Sequence, residues 1–153
     1  MNIYLKHFNI VVKHKYYVMR ECFRRKLYWQ GIVHDLSKFS FAEFTESAKH
    51  FQGTGSPIIA SRKVNGYSIA WLHHKSHNKH HWDYWVDFDH GKLIPVPIPK
   101  KYIIEMACDM IGASKAYGGA SSPLDYFKGH SPCWLMRPED KAYLEELLID
   151  AGE

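Results

Sequence analysis

Apolar residues in this chain recur at helical spacing, and nowhere does a run alternate long enough to specify a sheet. Between residues 3 and 25 the set Ile3, Ile10, Val11, Tyr17, Val18 and Cys22 marks one side of a long helix. A short helix is expected from Tyr28 to Leu36. Ser40-Phe41-Ala42-Glu43 has the spacing of a capping box, so a third helix should start there and run to Phe51. Gln52 to Pro57 reads as a loop. A fourth helix is expected from Ser68 to Trp85. Prolines at 95, 97 and 99 keep Asp89 to Pro99 out of a helix interior. Pro99 suits the first turn of a fifth helix ending at Gly118-Gly119, and Pro138 opens a sixth that ends before Gly152. With no β-hairpin pattern in sight, the expectation is an all-α bundle of about six helices, forming one domain over 1–153.

Composition narrows the class. Hydrophobic residues make up 46% of the 153, enough for a folded core. No apolar run approaches the length of a membrane span. Lys6, His7, Asn9, Lys13 and His14 interrupt any signal-peptide core, so no membrane partner is expected. Cys22, Cys108 and Cys133 are odd in number and lack CxxC spacing. They point to a reducing cytoplasm rather than a disulfide framework or a cysteine zinc site. The net charge of +4 would attract a small anion but does not mark a nucleic-acid binder.

Histidine is the unusual component, at eleven of 153 residues. Five fall within nine positions: His73, His74, His77, His80 and His81. On one continuous helix His73, His77, His80 and His81 would share a face, and His74, Asn78 and His81 a neighbouring stripe. Such clustering suits a metal site, because i, i+4 histidines can grip one ion. A plain solvated face would be served as well by Lys or Glu. His34-Asp35 is a second candidate ligand pair. His7 and His14 share a helical face and are rivals for a further position, although a histidine on an apolar face is more often a core residue. Asp109 is flanked by apolar residues, and a buried carboxylate needs an ion pair or a metal.

The order of these groups, histidine, His-Asp, histidine cluster, aspartate, resembles the HD-domain superfamily of metal-dependent phosphohydrolases. His34-Asp35-Leu36-Ser37-Lys38 is similar to its HD-x-G-K segment, with Ser37 where the superfamily has glycine. Asp109 resembles the aspartate of its last core helix, and the match spans residues 14 to about 116. More narrowly, Tyr28-Trp29-Gln30-Gly31, Ala70-Trp71-Leu72-His73-His74-Lys75 and Asn78-Lys79-His80-His81 resemble a family of short bacterial and phage proteins, a domain of unknown function.

The resemblance implies His14, His34, Asp35 and Asp109 as ligands of one metal. It further implies His73 or His74, with His80 or His81, at a second metal. Imidazoles and carboxylates together suit Fe, Mn, Co, Ni or Zn better than Mg alone. Asp35 is then the candidate bridging and catalytic carboxylate. Lys38 is a candidate catalytic and phosphate contact, Lys75 and Lys79 are substrate contacts, and Asp83 and Asp87 would orient histidines. The expected activity is hydrolysis of a small phosphorylated substrate, foremost a nucleotide. A di-iron oxygenase using the same ligands and a metal-binding protein without activity are the alternatives. An HNH nuclease would need a ββα core that the sequence does not signal. Trp71, Trp82, Tyr84 and Trp85 could stack on a base, although packing into the core is the plainer reading.

Overall fold

The computed structural model describes residues 2–53, 55–119 and 121–152. It is mainly helical. The α-helices run in the order α1 (Ile3–Arg24), α2 (Tyr28–Val33), α3 (Phe41–His50), α4 (Pro57–Asn65), α5 (Ile69–His77), α6 (Lys100–Ala116), α7 (Pro123–His130) and α8 (Pro138–Asp150). Three short 3-10 segments, Leu36–Phe39, Trp82–Trp85 and Ser131–Cys133, connect them. The described residues thus hold eight α-helices rather than about six. The two extra ones, α4 and α7, each open on a proline at the first turn behind a serine, Ser56-Pro57 and Ser122-Pro123. Both follow glycine-containing stretches that read as loop.

The chain is not purely helical. Strands β1 (Val86–Asp89) and β2 (Lys92–Pro95) pair antiparallel, from Val86 opposite Pro95 to Asp89 opposite Lys92. His90 and Gly91 close the hairpin with positive φ, 45° and 77°, as a two-residue turn requires. The hairpin escapes a periodicity reading because its strands are only four residues long and mostly exposed on both faces. It leads into α6, but no hairpin residue belongs to the donor groups described below, so the HNH reading gains nothing from it.

The expected helix over 68–85 is also corrected. α5 stops at His77, because Asn78 turns to extended backbone and its amide donates back to the His74 carbonyl at 2.7 Å. That bond satisfies one of the carbonyls left open at a helix C-terminus. His80 and His81 therefore lie in the turn beyond α5.

Helix α6 is the centre of the packing. Ile103, Met106, Ala107 and Ile111 join Phe127 of α7, Met136, and Leu144 and Leu148 of α8 in the larger core. The opposite side of α6 meets α1 through Cys108, Val18 and Cys22. Gly112 permits that approach: a Cβ there would stand 2.4 Å from Val18 Cγ2 and 2.9 Å from the Val18 backbone nitrogen. No helix among the described residues is long and apolar enough to cross a membrane.

Candidate metal centre

The α1–α6 contact carries the first two donors. His14 lies one turn before Val18, and Asp109 one turn before Gly112. The close approach brings His14 Nε2 to 3.0 Å from Asp109 Oδ1. The next two donors come from the end of α2. His34 is its C-cap and Asp35 follows in the left-handed region at φ 57°, so the pair sits in a turn and not on one helix. Aspartate tolerates that conformation better than most residues. Lys15 of α1 fixes the turn by donating to the carbonyls of Gly31, Ile32 and His34 at 3.1, 2.5 and 2.7 Å.

Asp35 then lies between two sets of imidazoles. Its Oδ2 is 3.2 Å from His14 Nε2 and 3.2 Å from His34 Nε2, while Asp109 Oδ1 is 3.3 Å from His34 Nε2. Its Oδ1 is 3.3 Å from His74 Nε2 and 3.4 Å from His80 Nε2. His81 completes that second set. Two groups, His14–His34–Asp35–Asp109 and Asp35–His74–His80–His81, can each hold a metal ion, and they share Asp35. Donors bound at about 2.0–2.2 Å to one ion stand roughly 3.0–3.5 Å apart, and the pairs named above fall in that range.

Hydrogen bonding leaves four of the donor atoms unsatisfied. His34 Nε2, Asp35 Oδ1, His80 Nε2 and His81 Nε2 are buried without a hydrogen-bond partner. An unpaired buried polar atom is costly. Four of them, divided between the two donor groups and on residues whose chemistry is that of ligands, fit bound cations.

The outward-facing nitrogens are held by carboxylates. Glu105 Oε1 lies 2.9 Å from His34 Nδ1 and 3.3 Å from His80 Nδ1. Glu43 Oε1 lies 2.6 Å from His74 Nδ1, and its Oε2 lies 3.0 Å from His73 Nδ1. When Nδ1 carries the proton and donates it to the carboxylate, the Nε2 lone pair faces the centre. His34, His80 and Glu105 also form a three-donor group. We assign Glu105 an orienting role there, since both imidazoles already turn Nε2 toward Asp35.

Sequence reasoning missed both glutamates. Glu105 lies one helical turn before Asp109, a signal that was available. Glu43 reads as a capping-box residue, but only half of that box forms. Ser40 Oγ accepts from the Glu43 backbone N–H at 3.3 Å, whereas the Ser40 N–H donates to the Ser37 carbonyl. The Glu43 carboxylate is thereby free for the histidines.

The carboxylates of the centre and their histidine and lysine neighbours stabilise charge on one another. Burial opposes charge on Asp35 and Asp109, yet their histidine and lysine neighbours hold both carboxyls well below the usual range: His34, Lys38 and His74 for Asp35, His14 and His34 for Asp109. Glu43 and Glu105 are lowered the same way, mainly by His74 and by His34 and His80. Burial likewise opposes charge on His34, but Asp35, Asp109 and Glu105 outweigh it and raise its pKa. Burial lowers the pKa of His80 and His81, and neighbouring histidines lower both further.

The remaining candidates fall elsewhere. His73 reaches Glu43 but none of the donor groups, and exposed His77 stacks on it at 4.1 Å. His7 is buried between the rings of Phe44 and Phe51, each 5.2 Å away. Of the rival pair, His14 joins the donors. Lys38 Nζ lies 2.6 Å from Asp35 Oδ2. Lys75 instead faces Asp83 at 3.6 Å, and Lys79 lies over the Tyr84 ring. Asp83 accepts from Trp71 Nε1, and Asp87 is exposed on β1, so neither orients a histidine nitrogen.

A cavity of about 600 Å³ opens onto the centre, lined by His14, Lys38, His74, His80, His81 and Asp109. Its further walls include Arg62, Trp71, Trp82 and Trp134. No sequence motif singles out Arg62.

No curated protein and no solved structure matches the chain. A family model does match, over residues 4–150, and the chain belongs to that family, a family of unknown function (DUF5662).

Proposed function

We propose that this member of the family is a dinuclear, HD-type, metal-dependent phosphohydrolase acting in the cytoplasm on a small phosphate ester. One observation carries the reading: the Asp35 carboxylate presents Oδ2 to His14 and His34 and Oδ1 to His74 and His80. A carboxylate so shared suits a bridge between two cations. Borderline divalent ions, Fe, Mn, Co, Ni or Zn, match the mixed imidazole–carboxylate donors. When bound, such ions would supply Lewis acidity toward a phosphoryl group and lower the pKa of a water nucleophile.

The chain's own residues do the rest. Glu43 and Glu105 fix the tautomer and direction of His74 and His34. Lys38 is kept charged, since Asp35, Asp109 and Glu43 outweigh the effect of burial on it. Its ammonium borders the cavity beside the shared carboxylate, where it would meet a phosphate oxygen and stabilise charge growing there. The positive net charge favours arrival of an anion.

The test is phosphate release by protein purified without chelator and supplied with Mn, Co, Ni, Mg, Zn or Fe. Nucleotides and a generic phosphodiester are the substrates, and Asp35→Asn is the control. The reading expects turnover that disappears in Asp35→Asn and falls about 10²-fold or more in Lys38→Ala. Metal-loaded protein with no release above the control would contradict it. An iron-loaded protein with a visible charge-transfer band and no release would support the oxygenase alternative.

A further inference from the structure

Helix α1 carries its histidines on one side and an uncovered apolar row on another. His7 and His14 are buried, whereas Leu5, Phe8, Val12 and Tyr16, at i, i+3, i+7 and i+11, stand half exposed along the outside. The segment after α1 extends the row. Ile32 of α2, and Leu36 and Phe39 of the 3-10 turn beyond it, are exposed to the same degree, so all seven side chains lie between 41% and 53% exposed. The two parts are joined. The Phe8 and Phe39 rings stand 6.1 Å apart, and Lys15 ties α1 to the end of α2. None of the seven lines the cavity, so whatever covers them does not fill it.

Size and charge decide what fits there. At about 150–250 Å² for a large side chain, the exposed halves of the seven amount to roughly 500–800 Å². That matches or exceeds the largest apolar patch of an ordinary monomer, about 300–600 Å², and approaches the roughly 800 Å² that each partner gives to a stable interface. The row holds no carboxylate. Glu21, the only acid of α1, is committed to Arg24, Arg25 and Lys115. The ammonium of Lys15, beside the row, is spent on three backbone carbonyls. Lys6 and Lys13 follow Leu5 and Val12 by one residue, about 100° round the helix, and so flank the row without entering it. A strongly charged partner finds no counter-charge at the centre of such a face. A second copy of the same face offers apolar surface of equal extent. Equal, self-matching patches join about a twofold axis, the commonest arrangement of oligomers.

We propose that this face joins two copies of the chain about a twofold axis. The α1 rows then run antiparallel, with Leu5 against the partner's Tyr16 and Phe8 against the partner's Val12. The interface braces the metal centre from outside, since α1 carries His14 and the stretch between Ile32 and Leu36 carries His34 and Asp35. Sedimentation velocity of the full chain, from about 1 to 100 µM, should give the mass of two chains, with a Kd of about 1 µM or tighter. Val12→Glu and Leu36→Glu each place a carboxylate in the interface twice, once from each copy, and should weaken the dimer at least about 100-fold. Both positions are half exposed, so the far-UV circular dichroism of either variant should stay that of wild type. Should one fail to fold, Val12→Ser or Leu36→Ser replaces it, with an expected weakening of about 10-fold. Val64→Glu, exposed on α4 and outside the face, should leave the mass unchanged. A wild-type monomer at the highest concentration, or a dimer that no substitution at Val12 or Leu36 weakens, would overturn the proposal. Vesicles of phosphatidylglycerol supply the competing arm. A monomer that cosediments with them, and ceases to in Val12→Glu, would assign the face to an anionic lipid surface instead of a second copy.

Discussion

Gly112 and Val18 meet backbone to backbone, and this contact sets the distance between His14 and Asp109. A Cβ on Gly112 would stand 2.4 Å from Val18 Cγ2 and 2.9 Å from Val18 N. The second clash is with main chain and cannot be relieved by a rotamer change. Gly112→Ala should therefore push α6 off α1 and lengthen the 3.0 Å separation of His14 Nε2 and Asp109 Oδ1. We expect a loss of about 1–3 kcal/mol in denaturant unfolding, together with weaker metal binding at the His14 group. A variant as stable as wild type with unchanged metal affinity would show that the contact is not close.

Asp35 separates backbone from ligand chemistry. Its φ of 57° is tolerated by Asn but costs Ala about 1–2 kcal/mol. Asp35→Asn should keep the turn and lose the shared carboxylate, so circular dichroism stays native while bound metal falls. Asp35→Ala should lose stability as well as metal. Full metal occupancy in Asp35→Asn would refute the shared role.

The outer carboxylates should act on different groups. Glu43→Gln removes the charged acceptor at His74 Nδ1 and should weaken the Asp35–His74–His80–His81 group about 10–100-fold. Glu105→Gln acts on His34 and His80, one from each group, and should weaken both. Competition with a chromophoric chelator measures the two effects. Identical responses from the two variants would contradict the assignment.

His7, which belongs to neither donor group, gives a pH prediction. Burial first, and Lys38 second, lower its pKa from 6.5 to about 4. The unfolded chain takes up a proton near pH 6.5 and the native one only near pH 4, so native stability falls as pH drops through that window. The loss is up to about 3 kcal/mol. His7→Phe suits the pocket between Phe44 and Phe51 and removes the buried, unpartnered Nδ1. It should flatten the acid limb of stability against pH and leave metal content unchanged. Lost metal in this variant would make His7, not His14, the ligand.

The helical character and the residue types of the centre were legible in the sequence, because periodicity and residue chemistry are local signals. The path by which His80 and His81 reach Asp35 was not. A continuous helix would carry them on one face with His73, whereas the Asn78 turn carries them inward with His74 and leaves His73 on Glu43. Asn78 has no propensity strong enough to announce a stop, and its side-chain bond to the His74 carbonyl is visible only in three dimensions. Helices α4 and α7 and the hairpin were too short to show a period. Glu43 was hidden because the spacing that suggests a cap equally permits a carboxylate turned toward two histidines. Arg62 was hidden because only the fold places α4 beside Trp71.

Seven side chains are proposed to hold two ions on either side of Asp35. Anomalous diffraction from crystals of protein loaded with Mn or Zn, collected at the metal edge, locates such ions. Two peaks per chain are expected, about 3.5–4 Å apart. One should be bound by His14, His34, Asp35 and Asp109, the other by Asp35, His74, His80 and His81. A single peak away from Asp35, or no peak there at saturating metal, would contradict it.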